Sequence, residues 1–325
     1  MLNPYIGHPS QLCGAEEVRL VGGKGDGMRL LNLWNAAGLY LTVAADRCAD
    51  IYRLRLGGDN LGYFSPCGYV GPSFYQEPEK GFLKSFTAGF LTTCGLNNAG
   101  GPSDCDGERV PLHGTIGNTP CEAFWWEEDG ESLIVHASVR DQTLFGRKLM
   151  LRRTLRIGKF ENVITLTDTV ENQGDRAEPV LLMYHMNMGY PLLSERAQVD
   201  SNASRVVLGD AAVPEETWKR IDPPRPRTRE ICYRHLFEDR ERAAVSIRNP
   251  EIGKGLQIAF DPKEFPCLIQ WSLFSERDYA LGLEPRNFPE GPKAKAKEKG
   301  QLHILQPGES RSYHVEVKLW ETGEA

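Results

Sequence analysis

The sequence predicts an all-β protein, a large antiparallel sandwich or barrel, and three observations carry that expectation. Apolar residues recur with a period of two. In residues 312–320, Tyr313, Val315, Val317 and Leu319 share one face, while His314, Glu316, Lys318 and Trp320 share the other, the mark of a half-buried strand. Turn signals separate such runs, among them Asn172-Gln173-Gly174-Asp175, Asn249-Pro250-Glu251-Ile252-Gly253 and Gln306-Pro307-Gly308-Glu309, and 33 Gly and 21 Pro are available for the joints. Helical periodicity is almost absent, which argues against alternating strand and helix units.

Taken in chain order, the candidate strands are residues 40–44, 132–139, 149–157, 162–170, 180–185, 243–247, 256–260, 268–273, 279–283 and 312–320. Within 162–170, Ile164, Leu166 and Val170 fall on one side. Residues 30–35 fit a short helix or a strand, and Pro214 opens a helical turn over 214–219. Three prolines in Asp222-Pro223-Pro224-Arg225-Pro226-Arg227 stiffen a long loop toward an extended form. Strand-like composition continues on both sides of it, so residues 1–325 are expected to form one domain, with 1–36 as an N-terminal extension of it. Residues 291–300, rich in lysine, read as a solvated loop.

Bulk numbers narrow the function classes. At 325 residues, with 40% hydrophobic and 25% charged content, the chain is long enough to bury a sizeable core. A formal net charge of −6 points away from nucleic acid and from an anionic membrane surface as partners. No run approaches the ~20 apolar residues of a membrane span. The first residues have neither a charged nor an apolar leader region. Eight cysteines without a Cys-x-x-Cys pair read as reduced thiols, and the expected location is cytoplasmic. Cys94, Cys105 and Cys121 bracket His113, but their spacing fits no common zinc pattern, so no metal is expected.

Three segments carry acid–base side chains: Leu112-His113-Gly114-Thr115-Ile116-Gly117, Tyr184-His185-Met186-Asn187-Met188-Gly189-Tyr190-Pro191 and Leu283-Glu284-Pro285-Arg286-Asn287. The last two sit at the ends of strand-like runs. Two histidines, a carboxylate and nearby amide and guanidinium donors suit chemistry in which one group takes a proton and another gives one.

The order His…His…Glu in a β-rich chain resembles the aldose 1-epimerase (galactose mutarotase-like) superfamily, with the match falling in an uncharacterised aldose 1-epimerase-like branch. The resemblance is carried by His113-Gly114, by His185-Met186-Asn187 and by Leu283-Glu284, with Thr115, Met186 and Pro285 departing from the best-known members. It implies a β-supersandwich fold and a cofactor-free isomerase that interconverts the anomers of a monosaccharide or close derivative. It also implies Glu284 as base, His185 as acid and His113 as a substrate ligand. Asn97, Asn187, Gln270, Trp271 and Arg286 are further candidate sugar ligands. Arg47 joins them through the segment Asp46-Arg47-Cys48-Ala49-Asp50-Ile51, which is similar to an element of that branch, although an internal salt bridge is the slightly favoured explanation. Two alternatives remain open: isomerisation at another carbon, and carbohydrate binding without turnover. The oligomeric state is not legible.

Overall fold

The computed structural model describes residues 4–321, so residues 1–3 and 322–325 of the expected unit lie outside it. The architecture is antiparallel β throughout. One eight-stranded sheet runs in the order Ala123–Glu128, Ser132–Gln142, Lys148–Gly158, Val163–Asn172, Ser310–Glu321, Lys254–Phe260, Ala243–Asn249 and Gln198–Ser201. The C-terminal strand thus inserts between neighbours far from it in sequence. Its alternation is the expected one, with Tyr313, Val315, Val317 and Leu319 all buried.

A second large sheet places Ile231–Leu236, Cys267–Ser275, Asp278–Arg286 and Glu178–Met188 side by side. Leu91–Leu96 pairs with the far side of Glu178–Met188, His185 opposite Thr92. A five-stranded sheet of Gly14–Arg19, Arg29–Trp34, Leu39–Ala44, Asp50–Leu56 and Asp59–Asn60 completes the main framework. The segment expected as a short helix or a strand is therefore a strand, Arg29–Trp34, and with Gly14–Arg19 it pairs about a third of residues 1–36 into that sheet.

The principal core lies between these layers. It gathers Leu151, Leu155, Leu166, Tyr184, Met186, Leu268, Leu283, Val315 and Val317, all nearly inaccessible. Each such side chain contributes about 1.5–3 kcal/mol by leaving water. Two expectations are corrected. Residues 291–300 contain a helix, Lys293–Glu298, with Lys293 and Ala296 buried. The strand carrying Glu284 does not stop before Pro285 but runs Asp278–Arg286, and His185 lies inside Glu178–Met188.

Charged side chains also occupy core positions. Arg153 and Asp168 take inward places on adjacent strands, directly paired in register. Arg153 donates to both Asp168 oxygens at 2.9 and 2.7 Å, to Asp50 Oδ1 at 2.8 Å and to Thr93 Oγ1 at 2.7 Å. The Tyr184 hydroxyl donates to Asp168 at 2.8 Å. One guanidinium therefore ties all three sheets together.

Candidate functional site

Strand geometry decides which side chains meet. Successive residues point to opposite faces of a sheet, and residues in register share a face. Across the second sheet, Ile269 pairs with Glu284, and Cys232, Trp271, Gly282 and Asn187 form the next row. His185, Asn187, Trp271, Gly282, Glu284 and Arg286 consequently share the face turned away from the principal core. The hydrogen-bonded ladder to Glu178–Met188 breaks opposite Glu284 and Pro285, where proline has no N–H to offer.

His185 Nε2 lies 3.2 Å from Glu284 Oε1, at an angle that leaves Oε1 without a formed hydrogen bond. Both residues are nearly buried, at 5% and 3% exposure. The imidazole is bordered by Phe86, Trp271 and His113, with ring centroids at 5.3, 5.3 and 5.5 Å. His113 and Trp271 are partly exposed and form the rim. This site is marked by its chemistry, a buried carboxyl beside a buried imidazole.

Burial sets the protonation. It pushes the Glu284 carboxyl up to about 8, with the Arg286 guanidinium pulling down and the Glu230 carboxylate pushing up. It pushes the His185 imidazole down to about 4, opposed by the adjacent Asn187 side chain. A low-dielectric setting disfavours the charged form of either group. At neutral pH the pair therefore holds one proton, on the carboxyl. Burial likewise drives His113 well below its ordinary value, helped by His185 and Arg286. Its Nδ1 accepts from the Gly100 N–H at 3.3 Å, so the neutral ring carries its proton on Nε2.

Local sequence explains these placements. His113 adopts φ 60°, followed by Gly114 at φ 70°, where a Cβ would stand 2.1 Å from the Gly95 carbonyl oxygen. Only glycine fits there. At Gly282 a Cβ would meet Glu284 Oε1 at 2.4 Å, so the missing side chain is the space the carboxyl occupies. Asn187 Nδ2 donates to the His185 carbonyl at 2.9 Å and to that of Gly89 at 3.2 Å. Its Oδ1 is buried without a partner, as is Nδ1 of His185.

The expected site residues divide. His113, His185, Asn187, Trp271 and Glu284 come together. Arg286 shares their face, but its guanidinium is spent on the backbone, donating to the carbonyl oxygens of Phe288 at 2.6 Å and Gly291 at 3.3 Å. Three expectations are corrected. Gln270 alternates with Trp271 and so points to the opposite face, where it contacts His235 Nε2 at 3.0 Å and donates to the Trp218 carbonyl at 2.7 Å. Arg47 is buried and donates to the carbonyls of Gly117, Val70 and Ser85 at 2.8, 2.6 and 3.1 Å, which clamps loops together rather than facing a ligand. Asn97 sits behind the His113 turn, where a Cβ on Gly114 would meet its Oδ1 at 2.6 Å, and it borders a separate cavity of about 410 Å³. Around Arg47, Asp46 pairs with Arg29 at 3.2 Å and Asp50 with Arg153 at 2.8 Å.

Sequence reasoning missed Phe86, Gly282 and Glu230. Gly282 had a signal, an isolated glycine inside a strand two residues from a carboxylate on the same face. Glu230 accepts a hydrogen bond from Trp271 Nε1 at 2.8 Å and had none, because a loop brings it there. Among the described residues, no three His, Cys, Asp or Glu side chains gather as metal ligands, and no helix is long and apolar enough to cross a membrane.

Comparison with solved structures agrees on the architecture. The chain is similar to a Klebsiella pneumoniae protein proposed to be an aldose 1-epimerase, with TM-score 0.84, 22% identity and coverage of 96% of this chain and 88% of that one. A galactose mutarotase-like protein from Clostridium acetobutylicum matches with TM-score 0.70 at 12% identity, over 96% and 100% of the two chains. The galactose 1-epimerase of Lactobacillus acidophilus matches with TM-score 0.66 at 15% identity, over 95% and 99%. Identities this low establish the galactose mutarotase-like fold alone. No curated protein matches the sequence. A family model described as "Domain of unknown function (DUF4432)" matches residues 25–319, and the chain belongs to that family.

Proposed function

We propose that the protein is an aldose 1-epimerase acting on a monosaccharide or close derivative, with Glu284 and His185 as its acid–base pair. The observation that carries this reading is a carboxyl and an imidazole set 3.2 Å apart, both nearly buried, on the sheet face turned away from the principal core. Anomer exchange needs a carboxylate to take the proton of the anomeric hydroxyl and an imidazolium to protonate the ring oxygen. Moving the shared proton from Glu284 to His185 creates that state without exchange with solvent, and the sugar's own dipoles stabilise it. Ring opening then returns the proton to the carboxyl and leaves the imidazole neutral, the distribution that burial favours. Rotation of the aldehyde and the reverse transfers yield the other anomer. His113 Nε2–H would donate to a sugar hydroxyl and Trp271 would lie against the ring, while Asn187, itself inaccessible, would hold the His185 backbone in place.

NMR observation of anomer exchange across neutral aldoses, deoxy sugars and uronic acids tests the proposal. Exchange that exceeds the spontaneous rate, with no new sugar formed, is the expected result. A new sugar would indicate proton transfer at another carbon, and saturable binding without exchange would indicate a carbohydrate-binding protein.

Two further results are expected. The pair holds one proton only between its two titrations, so kcat/KM should be bell-shaped, falling below about 4 and above about 8. A profile that stays flat well past about pH 8 would show that activity does not need the proton held by the Glu284–His185 pair, and would overturn this protonation scheme. Gly282→Ala should lower kcat by roughly 10²-fold, because displacing a reacting group by about 1 Å costs that much. Its melting temperature should barely change, since the carboxyl can swing away. An unimpaired Gly282→Ala enzyme would show that the carboxyl need not sit where it does.

A further inference from the structure

A second cavity, of about 650 Å³, opens on the opposite face of the same sheet. Ser272 and Phe274 alternate with Trp271, and Ile231 and Tyr233 alternate with Cys232, so this cavity and the His185–Glu284 pair lie on different sides. Its wall is the proline-stiffened loop that the sequence singled out. Three arginines line it, Arg220, Arg225 and Arg229, against the carboxylates of Glu216 and Asp222. Arg220 is already matched, donating to Asp222 at 2.8 Å. Arg225 and Arg229 have no ion-pair partner among the described residues.

The wall is also preorganised. The Arg225 N–H donates to the Phe274 carbonyl at 3.1 Å, and its own carbonyl accepts from the Glu276 N–H at 3.1 Å. Thr228, between the two free arginines in sequence, also lines the cavity, and its hydroxyl has no hydrogen-bond partner within the protein. Buried polar groups are nearly always satisfied, so a rotation of this side chain would give the hydroxyl a partner in a bound ligand. Ile231 and Phe274 supply an apolar floor.

We propose that this cavity binds a small organic oxyanion, a phosphate or carboxylate carried on a ring-sized body. Arg225 and Arg229 grip the anion, Thr228 meets one of its oxygens, and Ile231 and Phe274 pack against the body. Guanidinium groups suit such anions because their planar donor fork matches the oxygen spacing. The volume falls in the range of small-molecule sites. On a chain whose formal net charge is −6, a lining of three arginines against two carboxylates, Glu216 and Asp222, is a local excess of positive charge that favours anions there.

Calorimetric titration with glucose 6-phosphate, glucuronate and glucose tests the proposal. The expected result is saturable binding of at least one anionic sugar and none of glucose that depends on Arg225 or Arg229. Losing a hydrogen bond to a charged group costs ~1.5–3 kcal/mol, so Arg225→Ala with Arg229→Ala should weaken binding at least about tenfold. Thr228→Val should weaken it less. Arg227→Ala serves as the control, because Arg227 belongs to the same loop but does not line the cavity. Phosphate binding alone would favour the ester, and glucuronate binding alone the carboxylate. The proposal is overturned if no anion binds at millimolar concentration, if the double variant binds as well as the parent, or if Arg227→Ala loses as much as the double variant.

Discussion

Replacing Glu284 with Gln is expected to slow anomer exchange by about 10²–10⁴-fold, the usual contribution of a positioned general base, while the protein stays folded. The fold survives because burial already keeps the carboxyl protonated at neutral pH, and a glutamine amide has the same shape and neutrality. Linkage supplies a second readout. The folded-state value of about 8 lies above the ordinary 4.5, so the folded protein keeps a proton that the unfolded chain has released between those limits. Stability is therefore lost as pH rises through that window. His185, lowered from 6.5 to about 4, gives the opposite slope, stability gained from about 4 to 6.5. Above that range only the carboxyl acts. Denaturant titrations should show Glu284→Gln gaining on the parent between pH 6.5 and 8 by a few kcal/mol. An inactive variant with parental pH dependence would mean that Glu284 is ionised throughout; an active one would end the mechanism.

The largest effect on stability is expected at Arg153. Its side chain is fully buried between Asp168 and Asp50, with donor distances of 2.7 and 2.8 Å. Exchanging it for Met leaves two carboxylates in the core without a counter-charge. Breaking such a pair from one side costs about 3–5 kcal/mol, enough to remove much of a typical domain's stability. Burial already raises Asp50 to about 6 against the pull of Arg153 and Thr93. Without the guanidinium the folded state takes up protons more readily, so the variant should be less unstable in mild acid than at alkaline pH. Adding Asp168→Asn should recover part of the loss. A variant as stable as the parent would show that the guanidinium does not carry the junction. The proposed anomer exchange would suffer too, because Tyr184 belongs to the His185 strand and Thr93 pairs with it from the neighbouring strand, and both bond into the network.

Much of the fold was legible because a strand writes its burial into alternate residues. Residues 312–320 and 162–170 announced their faces directly, and the turn residues marked their ends. The same alternation held an unread message: Arg153 and Asp168 occupy inward positions of neighbouring strands, where only mutual pairing makes a charge tolerable. Strand ends were less legible at Glu284, because Pro285 signalled a stop. In fact the strand continues through it and gives up only part of one ladder. The lysine-rich segment 291–300 misled for a related reason: composition suggested solvent, but Lys293 packs inward beside Glu108, with Nζ 3.5 Å from its Oε2.

Within the candidate site, the sequence alone determined the residue types and their placement in the strand periodicity, which puts Glu284 and Trp271 out of phase with Gln270 once the register is known. That register was decided only by the tertiary structure. It sets His185 beside Glu284 although about a hundred residues separate them, and it turns Gln270 into the core. Loop closure likewise brought Glu230 to Trp271, and Arg47 to three carbonyls. Periodicity is a local property that each strand carries by itself. Which strands lie side by side depends on the burial of the whole chain, and no single segment records it.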